Sequence, residues 1–308
     1  MPVQVTTDVD AALDVIRRGG LVAIPTETVY GLAADAANET AVRRIFAAKG
    51  RPVDHPLIVH VAEPARLADW ASEVPPTAAV LADACWPGPL TVIVPRAAHV
   101  LDVVSGGRAS VGVRVPAHPL TTELLTRFDG GLAAPSANRF GRVSPTTAEH
   151  VVRDLGEVPG GVDLVLDGGP CPVGVESTIV DCTVDPVQVL RPGGIPTEQV
   201  ERLLAGAVAP ATGPSRASGM LASHYAPRCR VLLADTADEA RAIAAGEANP
   251  LLIGDTDDLV RYAQRLYELL RRADEHGHSA VVAVMPPAAG LGHAIRDRLL
   301  KASADRAG

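Results

Sequence analysis

The chain has 308 residues, which is more than one ordinary domain needs and enough for two domains with their own cores. Hydrophobic residues make up 47% and charged residues 21%, a balance that excludes a disordered chain. The formal net charge of −8 argues against a broad non-specific nucleic-acid surface, so any anionic ligand must be held by a local cluster of basic groups.

The sequence shows no sign of a membrane or secretory protein. No apolar run reaches the roughly 18 residues of a membrane-spanning helix, and residues 1–15 lack the basic and apolar regions of a signal peptide. A cytoplasmic location is therefore expected by default. The cysteines form no CxxC pair and have no histidine at zinc-finger spacing, so we expect them to be reduced and mostly buried.

Up to about residue 205, short apolar runs alternate with amphipathic stretches. Residues 9–18 place their apolar side chains on one helical face, and the glycines at 19–20 end that helix before a strand at 21–25. Asn38 is expected to cap a second helix that ends at Lys49. Further strands are predicted at 56–61, 90–95, 111–115, 132–135, 163–166, 178–182 and 187–190, and further helices near 64–70, 77–85, 119–128 and 147–155. Because several strands follow one another directly, this α/β region is predicted to be a mixed, twisted sheet flanked by helices.

The rest of the chain is predicted to be a linker and a second, smaller domain. Residues 206–228 are rich in Ala, Gly, Pro and Ser and show no period. Beyond them, strands at 229–234, 250–253 and 280–285 alternate with helices at 236–245, 257–273 and 291–301. This alternation predicts a small Rossmann-like α/β domain of parallel βαβ units. The predicted division is thus 1–205, a linker at 206–228 and a domain at 229–308.

Residues 25–32 (PTETVYGL) form the first segment that looks specialised. A buried strand that runs into a hydroxyl-rich turn is where open α/β sheets hold ligands. The alternative is a helix start capped by Thr26 or Thr28.

The second specialised segment is residues 49–52 (KGRP), followed by residues 55–60 (HPLIVH). Lys49 offers a point charge and Arg51 a planar fork, a combination that suits a polyphosphate. Both are predicted to lie at a solvent-facing helix end. The alternatives are a basic helix terminus that complements the helix dipole and, for His60, an ordinary core histidine.

The third segment is residues 133–144 (AAPSANRFGRVS), in which another strand ends in a turn of small residues. Ser136, Asn138 and Ser144 can donate hydrogen bonds to phosphate or ribose oxygens. An ordinary Asx-turn is the alternative.

Weaker signals come from later strands. Arg114 lies inside an apolar strand and needs a partner if buried, for which an amino-acid carboxylate would serve well. Residues 176–178 (EST) precede one strand, and Arg191 ends the next. The recurrence of Ser, Thr, Asn, Arg and Gly at strand ends predicts one concave anion site. The chain contains no P-loop or GxGxxG motif, so phosphate must be held by another arrangement of residues. It also lacks an HExxH metal site and a GxSxG nucleophile elbow.

The pairing of Lys49-x-Arg51 with Ser136-x-Asn138 resembles the KxR…SxN signature of the YrdC-type threonylcarbamoyl-AMP synthase family. Similar blocks run in order from about residue 20 to 195: PTETVYGL, KGRP…HPLIVH, WPGPLT, GVRVP, APSAN and ESTIVD. The carboxyl part resembles the long form of the family, in which a linker folds over the active site and a small α/β domain follows. The contact segment would be Ser218-Gly219-Met220 and residues 224–227 (HYAP).

The resemblance implies that L-threonine, bicarbonate and ATP are condensed to L-threonylcarbamoyl-AMP, pyrophosphate and water. The product would supply the threonylcarbamoyl group at adenosine 37 of tRNAs, handed over by a tRNA threonylcarbamoyl-transferase. Mg²⁺ is expected to arrive with ATP, with no metal held by the protein alone. A weak contact with RNA is a further expectation.

The resemblance also implies the residues of the site. Lys49 and Arg51 are expected to be catalytic. The residues expected around ATP are Lys49, Arg51, His55, Ser110, Ser136, Asn138, Ser144, Arg191 and Tyr225. The residues expected to hold L-threonine are Thr28, His60, Arg114, Ala134 (through its backbone) and Ser177.

Two other functions are kept as alternatives. An RNA-binding module would use the basic cavity for RNA, but aromatic residues make up only 3% of the chain and leave few stacking platforms. A carbamoyl-adenylate-forming relative would carry acylphosphatase-like and zinc-finger regions, which this sequence lacks. The sequence assigns the second domain no role beyond anchoring the linker.

Overall fold

The computed structural model describes residues 3–206, 208–212, 219 and 224–304. Its first part is built on one large sheet. The strands are β1 (Gln4–Thr6), β2 (Val22–Ile24), β3 (Gly31–Asp35), β4 (Ile58–His60), β5 (Leu90–Pro95), β6 (Ser110–Arg114), β7 (Leu132–Ala133), β8 (Leu164–Leu166), β9 (Thr178–Asp181), β10 (Gln188–Arg191) and β11 (Ala209–Pro210). They lie in the order β1-β8-β2-β3-β7-β4-β6-β5-β9-β10-β11.

Helices connect these strands, and their starts follow the capping signals in the sequence. The α-helices of the first part are α1 (Val9–Arg17), α2 (Glu39–Lys49), α3 (Leu67–Trp70), α4 (Pro76–Cys85), α5 (Asp102–Ser105), α6 (Pro119–Phe128), α7 (Ala148–Leu155) and α8 (Thr197–Leu204), and Pro64–Arg66 forms a 3₁₀ turn. The predicted cap at Asn38 is confirmed, since its side-chain oxygen accepts a hydrogen bond from the backbone N–H of Ala41 at 3.1 Å.

The large sheet is mixed, as the sequence predicts. β2 pairs parallel with β8 and antiparallel with β3, whereas β4 and β6 run parallel. Residues 25–30 join β2 to β3, so the alternative in which Thr26 or Thr28 caps a helix is wrong. β3 is not predicted from the sequence, because Gly31–Asp35 is rich in alanine and lacks the β-branched residues typical of strands.

Helices cover both faces of this sheet. Successive residues of a strand point to opposite faces, and along β2 the side chains of Val22 and Ile24 belong to one apolar cluster while that of Ala23 belongs to another. The first cluster includes side chains from α1 and α6, and the second includes side chains from α2, α4 and α7. Because apolar side chains cover both faces, the edge at which the strands end is the part of the sheet that can carry polar groups.

The second domain consists of β12 (Arg230–Ala234), α9 (Ala237–Ala245), β13 (Pro250–Ile253), α10 (Leu259–Glu275), β14 (Ala280–Val284) and α11 (Gly292–Ser303). Its strands are all parallel, in the order β12-β14-β13, which confirms the predicted small α/β fold. β11 falls inside the predicted linker but pairs with β10 of the large sheet. The division at 205 and 228 stays a prediction.

The two domains share an apolar cluster. Val29, Val143 and Val175 of the first domain belong to the same buried cluster as Tyr267 of α10 and Ile295 of α11. Burial of this shared surface holds the second domain against the face that carries the polar segments described below. Among the described residues, no helix has both the length and the apolar character needed to cross a bilayer.

Candidate active site

The polar strand ends converge on one cavity. Counting its solvent-filled mouth, the cavity has about 630 Å³ of space that protein atoms do not occupy. The predicted site residues that line it are Thr28, Lys49, Arg51, His60, Arg114, Ala134, Ser136, Asn138, Ser177, Arg191 and Tyr225. The other lining residues are Thr26, Val29, Gly31, Ile58, Pro135, Phe140, Glu176, Gly219 and His224.

Lys49 joins the two halves of the predicted signature. Its Nζ donates hydrogen bonds to the carbonyl oxygens of Ser136 at 2.6 Å and Asn138 at 2.5 Å. Lys49 is only 2% exposed and Arg51 only 7%, so the prediction that both lie at a solvent-facing helix end is wrong. Burial, reinforced by Arg51, lowers the pKa of Lys49 well below its ordinary value. The Lys49 Nζ therefore binds another segment of the chain, and dipole complementation alone does not explain these contacts.

Arg51 lies beside Lys49 because α2 ends at Gly50, which adopts a left-handed conformation with φ of 62°. Its Nη2 donates to the carbonyl of Pro56 at 3.0 Å, and its guanidinium lies 5.8 Å from the ring centre of Phe140. Burial, reinforced by Arg191, lowers the pKa of Arg51 to about 10. The guanidinium remains a cation at neutral pH.

Asn138 fixes the loop that follows Ser136. Its Nδ2 donates to the carbonyls of Arg139 at 2.8 Å and Arg142 at 2.9 Å, which orients the amide because carbonyls can only accept. Its Oδ1 is buried and has no hydrogen-bond partner within the described part of the chain. A simple Asx-turn would leave no such acceptor, so a ligand remains the better explanation for this oxygen.

Arg114 has a carboxylate partner inside the protein. Its Nη2 donates to Glu27 Oε1 at 2.7 Å and to Thr28 Oγ1 at 3.0 Å, and both side chains of the ion pair are buried. Glu27 also accepts from the backbone N–H of Ala117 at 2.9 Å. A partner for a buried Arg114 is expected from the sequence, but Glu27 is not among the predicted site residues. The signal was present, since Glu27 is the only acidic residue of PTETVYGL.

His60 lies next to Arg114 on neighbouring parallel strands. Burial, reinforced by Arg114, lowers the pKa of His60 to about 3, so the imidazole is neutral at pH 7. Its Nδ1 is buried without a hydrogen-bond partner among the residues described. This nitrogen is available to a ligand, and the role of His60 in holding L-threonine stays a prediction.

Arg191 and Ser177 form another part of the cavity wall. Arg191 Nε and Nη2 donate to the carbonyl of Ser177 at 3.1 and 2.9 Å, and Nη2 also donates to Ser177 Oγ at 3.1 Å. Gly193 permits this approach, because a Cβ there would lie 2.4 Å from the carbonyl oxygen of Glu176. Two predicted site residues, one directly before β9 and one at the end of β10, therefore meet.

Glu176 is the acidic residue of the cavity wall, and both oxygens of its carboxylate accept hydrogen bonds. Oε1 accepts from Ser144 Oγ at 2.6 Å, while Oε2 accepts from Tyr267 at 2.6 Å and from Arg298 Nε at 2.8 Å. Burial alone would raise the pKa of Glu176, but Arg298 and Arg191 together with these hydrogen bonds lower it to about 2. No sequence signal pointed to Tyr267 or Arg298, which belong to the second domain.

Three predicted residues do not line the cavity. His55 contacts it through Phe140, with ring centres 5.4 Å apart, and Ser144 lies behind Glu176. Ser110 begins β6 opposite Pro95, at the far end of the strand from Arg114. Their roles in ATP binding stay predictions.

Part of the predicted contact segment also reaches the cavity. Gly219 has φ of 84°, and a Cβ there would lie 2.5 Å from the Tyr225 hydroxyl and 2.9 Å from Arg191 Cδ. Tyr225 is buried and stacks on Tyr267 with ring centres 5.7 Å apart. Its hydroxyl has no hydrogen-bond partner in the described ranges. Ser218 and Met220 lie outside the described residues.

Comparison with protein families accounts for nearly the whole chain. A family model for Sua5, YciO and YrdC, described as telomere recombination, matches residues 14–193. A second model, described as threonylcarbamoyl-AMP synthase, C-terminal domain, matches residues 195–304.

Individual relatives match over almost their full length. A threonylcarbamoyl-AMP synthase from Pyrococcus abyssi is 39% identical, over 94% of this chain and 92% of that protein. One from Bacillus subtilis is 38% identical, over 96% of this chain and 92% of that protein. The crystal structure of P. abyssi Sua5 complexed with L-threonine is similar with a TM-score of 0.91 and 37% identity, covering 98% of this chain and 97% of that one.

Proposed function

Because the chain belongs to the threonylcarbamoyl-AMP synthase family, we propose that it condenses L-threonine, bicarbonate and ATP to L-threonylcarbamoyl-AMP, pyrophosphate and water. The observation that supports this proposal is that the cavity lining contains both a positively charged set of residues and a neutral hydrogen-bonding set. Lys49, Arg51 and Arg191 supply buried positive charge for a triphosphate. Thr28 and His60 supply neutral hydrogen-bonding groups for an amino acid.

The chemistry needs no nucleophile from the protein. The threonine amine combines with bicarbonate to form a carbamate and water, and a carbamate oxygen then attacks the α-phosphorus of ATP. As the new P–O bond forms, the bond to the β-phosphate oxygen breaks and pyrophosphate leaves. ATP and the carbamate are both anions and repel each other. The main tasks of the site are therefore to neutralise their charge and to orient them for reaction.

The residues of the cavity suit these tasks. A phosphate placed beside Lys49 would raise its pKa again and hold its proton, because an opposite charge favours the ionised form. Arg51 presents a planar fork of donors towards the same space. On the amino-acid side, Glu27 already balances Arg114, so a threonine carboxylate would share the guanidinium with it. The Nδ1 of His60 offers a further contact.

We propose that Mg²⁺ enters this site as a companion of the nucleotide. Among the described residues, no cluster of three or more His, Cys, Asp or Glu side chains could hold a metal ion. Asn138 Oδ1 is a buried oxygen of the kind that Mg²⁺ accepts, directly or through water, and phosphate oxygens would complete the set. The ion would neutralise charge on the departing pyrophosphate.

Product analysis tests the proposal. The protein is incubated with ATP, bicarbonate and each amino acid in turn, and the adenylates are identified by mass spectrometry. We expect threonylcarbamoyl-AMP only with L-threonine, accompanied by pyrophosphate. No adenylate with any amino acid, or an adenylate without the carbamoyl group, would overturn the proposal. A carbamoyl adenylate formed without L-threonine would favour the carbamoyl-adenylate-forming alternative.

The destination of the product is part of the same proposal. Threonylcarbamoyl-AMP would pass in the cytoplasm to a tRNA threonylcarbamoyl-transferase. Arg139, Arg142 and Arg228 line a neighbouring groove, which is where a weak contact with RNA would fall. A salt-titrated RNA-binding assay distinguishes such a contact from the RNA-binding alternative, in which affinity would be high and pyrophosphate release absent.

A further inference from the structure

Arg298 extends from α11 of the second domain to the back of the cavity wall and is completely buried. Its Nε donates to Glu176 Oε2 at 2.8 Å and to the Tyr267 hydroxyl at 3.2 Å. Its Nη1 donates to the carbonyl of Pro192 at 2.9 Å and to Asp297 Oδ2 at 2.6 Å. A single guanidinium thus contacts the acidic residue of the wall and the residue that follows Arg191.

The charge of Glu176 requires such a partner. Glu176 lines a cavity whose proposed ligand is a triphosphate, and an uncompensated carboxylate there would repel that anion. Both oxygens of Glu176 are occupied by donors, two of which come from the second domain. The carboxylate therefore acts as a hydrogen-bond acceptor for Ser144, and its charge is balanced at short range by Arg298.

The second domain also contacts the loop that contains Val143 and Ser144, referred to as the Ser144 loop. Arg271 of α10 donates from Nε to the carbonyl of Ser144 at 3.3 Å and from Nη2 to the carbonyl of Val143, and it pairs with Asp154 at 2.6 Å. Arg271 thus holds the backbone of Ser144, while Glu176 holds its side chain. The position of the Ser144 loop therefore depends on the second domain in two ways, through its backbone and through its side chain.

Arg298 also supports the linker. Its guanidinium carbon lies 5.0 Å from the ring centre of Tyr225, a distance at which a cation attracts an aromatic face. Tyr225 in turn lines the cavity beside Arg191. The acidic wall, the turn after Arg191 and the linker tyrosine are thus connected through one side chain.

We propose that Arg298 is a positioning residue for nucleotide binding, through which the second domain balances the Glu176 charge, fixes the Ser144 loop behind the cavity wall and holds Tyr225 against the cavity. The inference rests on the proposed function, because ATP is the anion concerned. It gives the second domain a direct part in the site in addition to anchoring the linker.

The test compares four variants of the full chain. Arg298→Met removes the charge while keeping most of the volume, and Arg296→Met is the matched control on the same helix, since Arg296 donates to Pro286 within the second domain. Glu176→Gln combined with Arg298→Met removes both charges but keeps an acceptor for Ser144. Tyr267→Phe removes one donor to Glu176 and serves as a milder change if Arg298→Met fails to fold.

Affinity for ATP is measured by calorimetry, and KM values for ATP and threonine by pyrophosphate release. We expect Arg298→Met to weaken ATP binding about tenfold or more, as one unbalanced charge near an anion would. The KM for threonine should change by less than about threefold, and Tyr267→Phe should weaken ATP binding by about threefold. The double variant should recover most of the ATP affinity, and Arg296→Met should match the wild type.

The outcomes separate this inference from the proposed function. Unchanged ATP affinity in both Arg298→Met and Tyr267→Phe would overturn it, even if the wild type makes the expected adenylate. An equal loss for ATP and threonine that the double variant does not repair would indicate only a scaffolding role and would also overturn it. A wild type that binds no ATP would overturn the proposed function together with this inference.

Discussion

Replacing Lys49 by methionine tests the link between the two halves of the site. Methionine matches the length of the lysine side chain but cannot donate hydrogen bonds. The change therefore leaves the carbonyls of Ser136 and Asn138 without the donor that reaches them at 2.6 and 2.5 Å. It also removes one of the cations proposed to face the triphosphate. Stability and activity should both fall, for separable reasons.

The magnitudes follow from these contacts. Two hydrogen bonds from a charged donor contribute about 1.5–3 kcal/mol each, and part of that loss is offset because no ammonium has to be buried. The free energy of unfolding should therefore fall by about 2–4 kcal/mol, which lowers Tm by about 5–10 °C. Loss of a charge-stabilising donor at the phosphates should reduce kcat/KM for ATP by a further factor of about 100–1,000.

Lys301 provides the matched control, because Lys49 and Lys301 are the only lysines of the chain. Lys301 pairs with Asp297 on α11 and does not line the cavity. Thermal unfolding and pyrophosphate release are measured for Lys49→Met and Lys301→Met in parallel. Unchanged stability in Lys49→Met would refute the anchoring of the Ser136–Asn138 loop, and activity near that of the wild type would refute the phosphate role.

Three further predictions concern other groups of the site. The pKa of Glu176 falls from an ordinary 4.5 to about 2 on folding, so its stabilising effect is present above pH 4.5 and lost as the pH drops towards 2. In urea titrations, the stability advantage of the wild type over Glu176→Gln should shrink by about 2 kcal/mol between pH 5.5 and 3, and a constant difference would contradict this. Gly219→Ala should weaken ATP binding about tenfold in calorimetry, because the new Cβ meets the Tyr225 hydroxyl at an unfavourable φ; wild-type affinity would show that this approach is dispensable. Arg114→Met should lower the free energy of unfolding by about 3–5 kcal/mol and raise the KM for threonine, because it leaves the buried Glu27 carboxylate unpaired. Adding Glu27→Gln should restore the stability but not the KM. A restored KM would argue against a contact between Arg114 and the substrate.

Much of the fold could be predicted from local pattern. β5 at Leu90–Pro95 and α6 at Pro119–Phe128 have the predicted bounds, because their apolar periods are clear and their ends are marked by proline or glycine nearby. β3 was missed because its alanines carry no strand preference. β11 was missed because two residues show no period at all.

The site could be predicted in part. Hydroxyl, amide and guanidinium groups at successive strand ends correctly indicated one cavity, since strand ends of an α/β sheet share an edge. Their internal partners could not be predicted. Glu27 pairs with Arg114 across 87 residues of chain, and Arg298 pairs with Glu176 across 122. No period or local motif encodes such separations.

The order of residues alone determined most of the strands and helices, where the small polar turns fall and which chemical groups they carry, because these depend on neighbours a few positions apart. Only the tertiary structure decided that Lys49 is buried against the Ser136–Asn138 loop and that a guanidinium from the last helix balances Glu176. The charge and accessibility of these groups depend on what the folded chain places against them, and burial cannot be known before the surfaces meet.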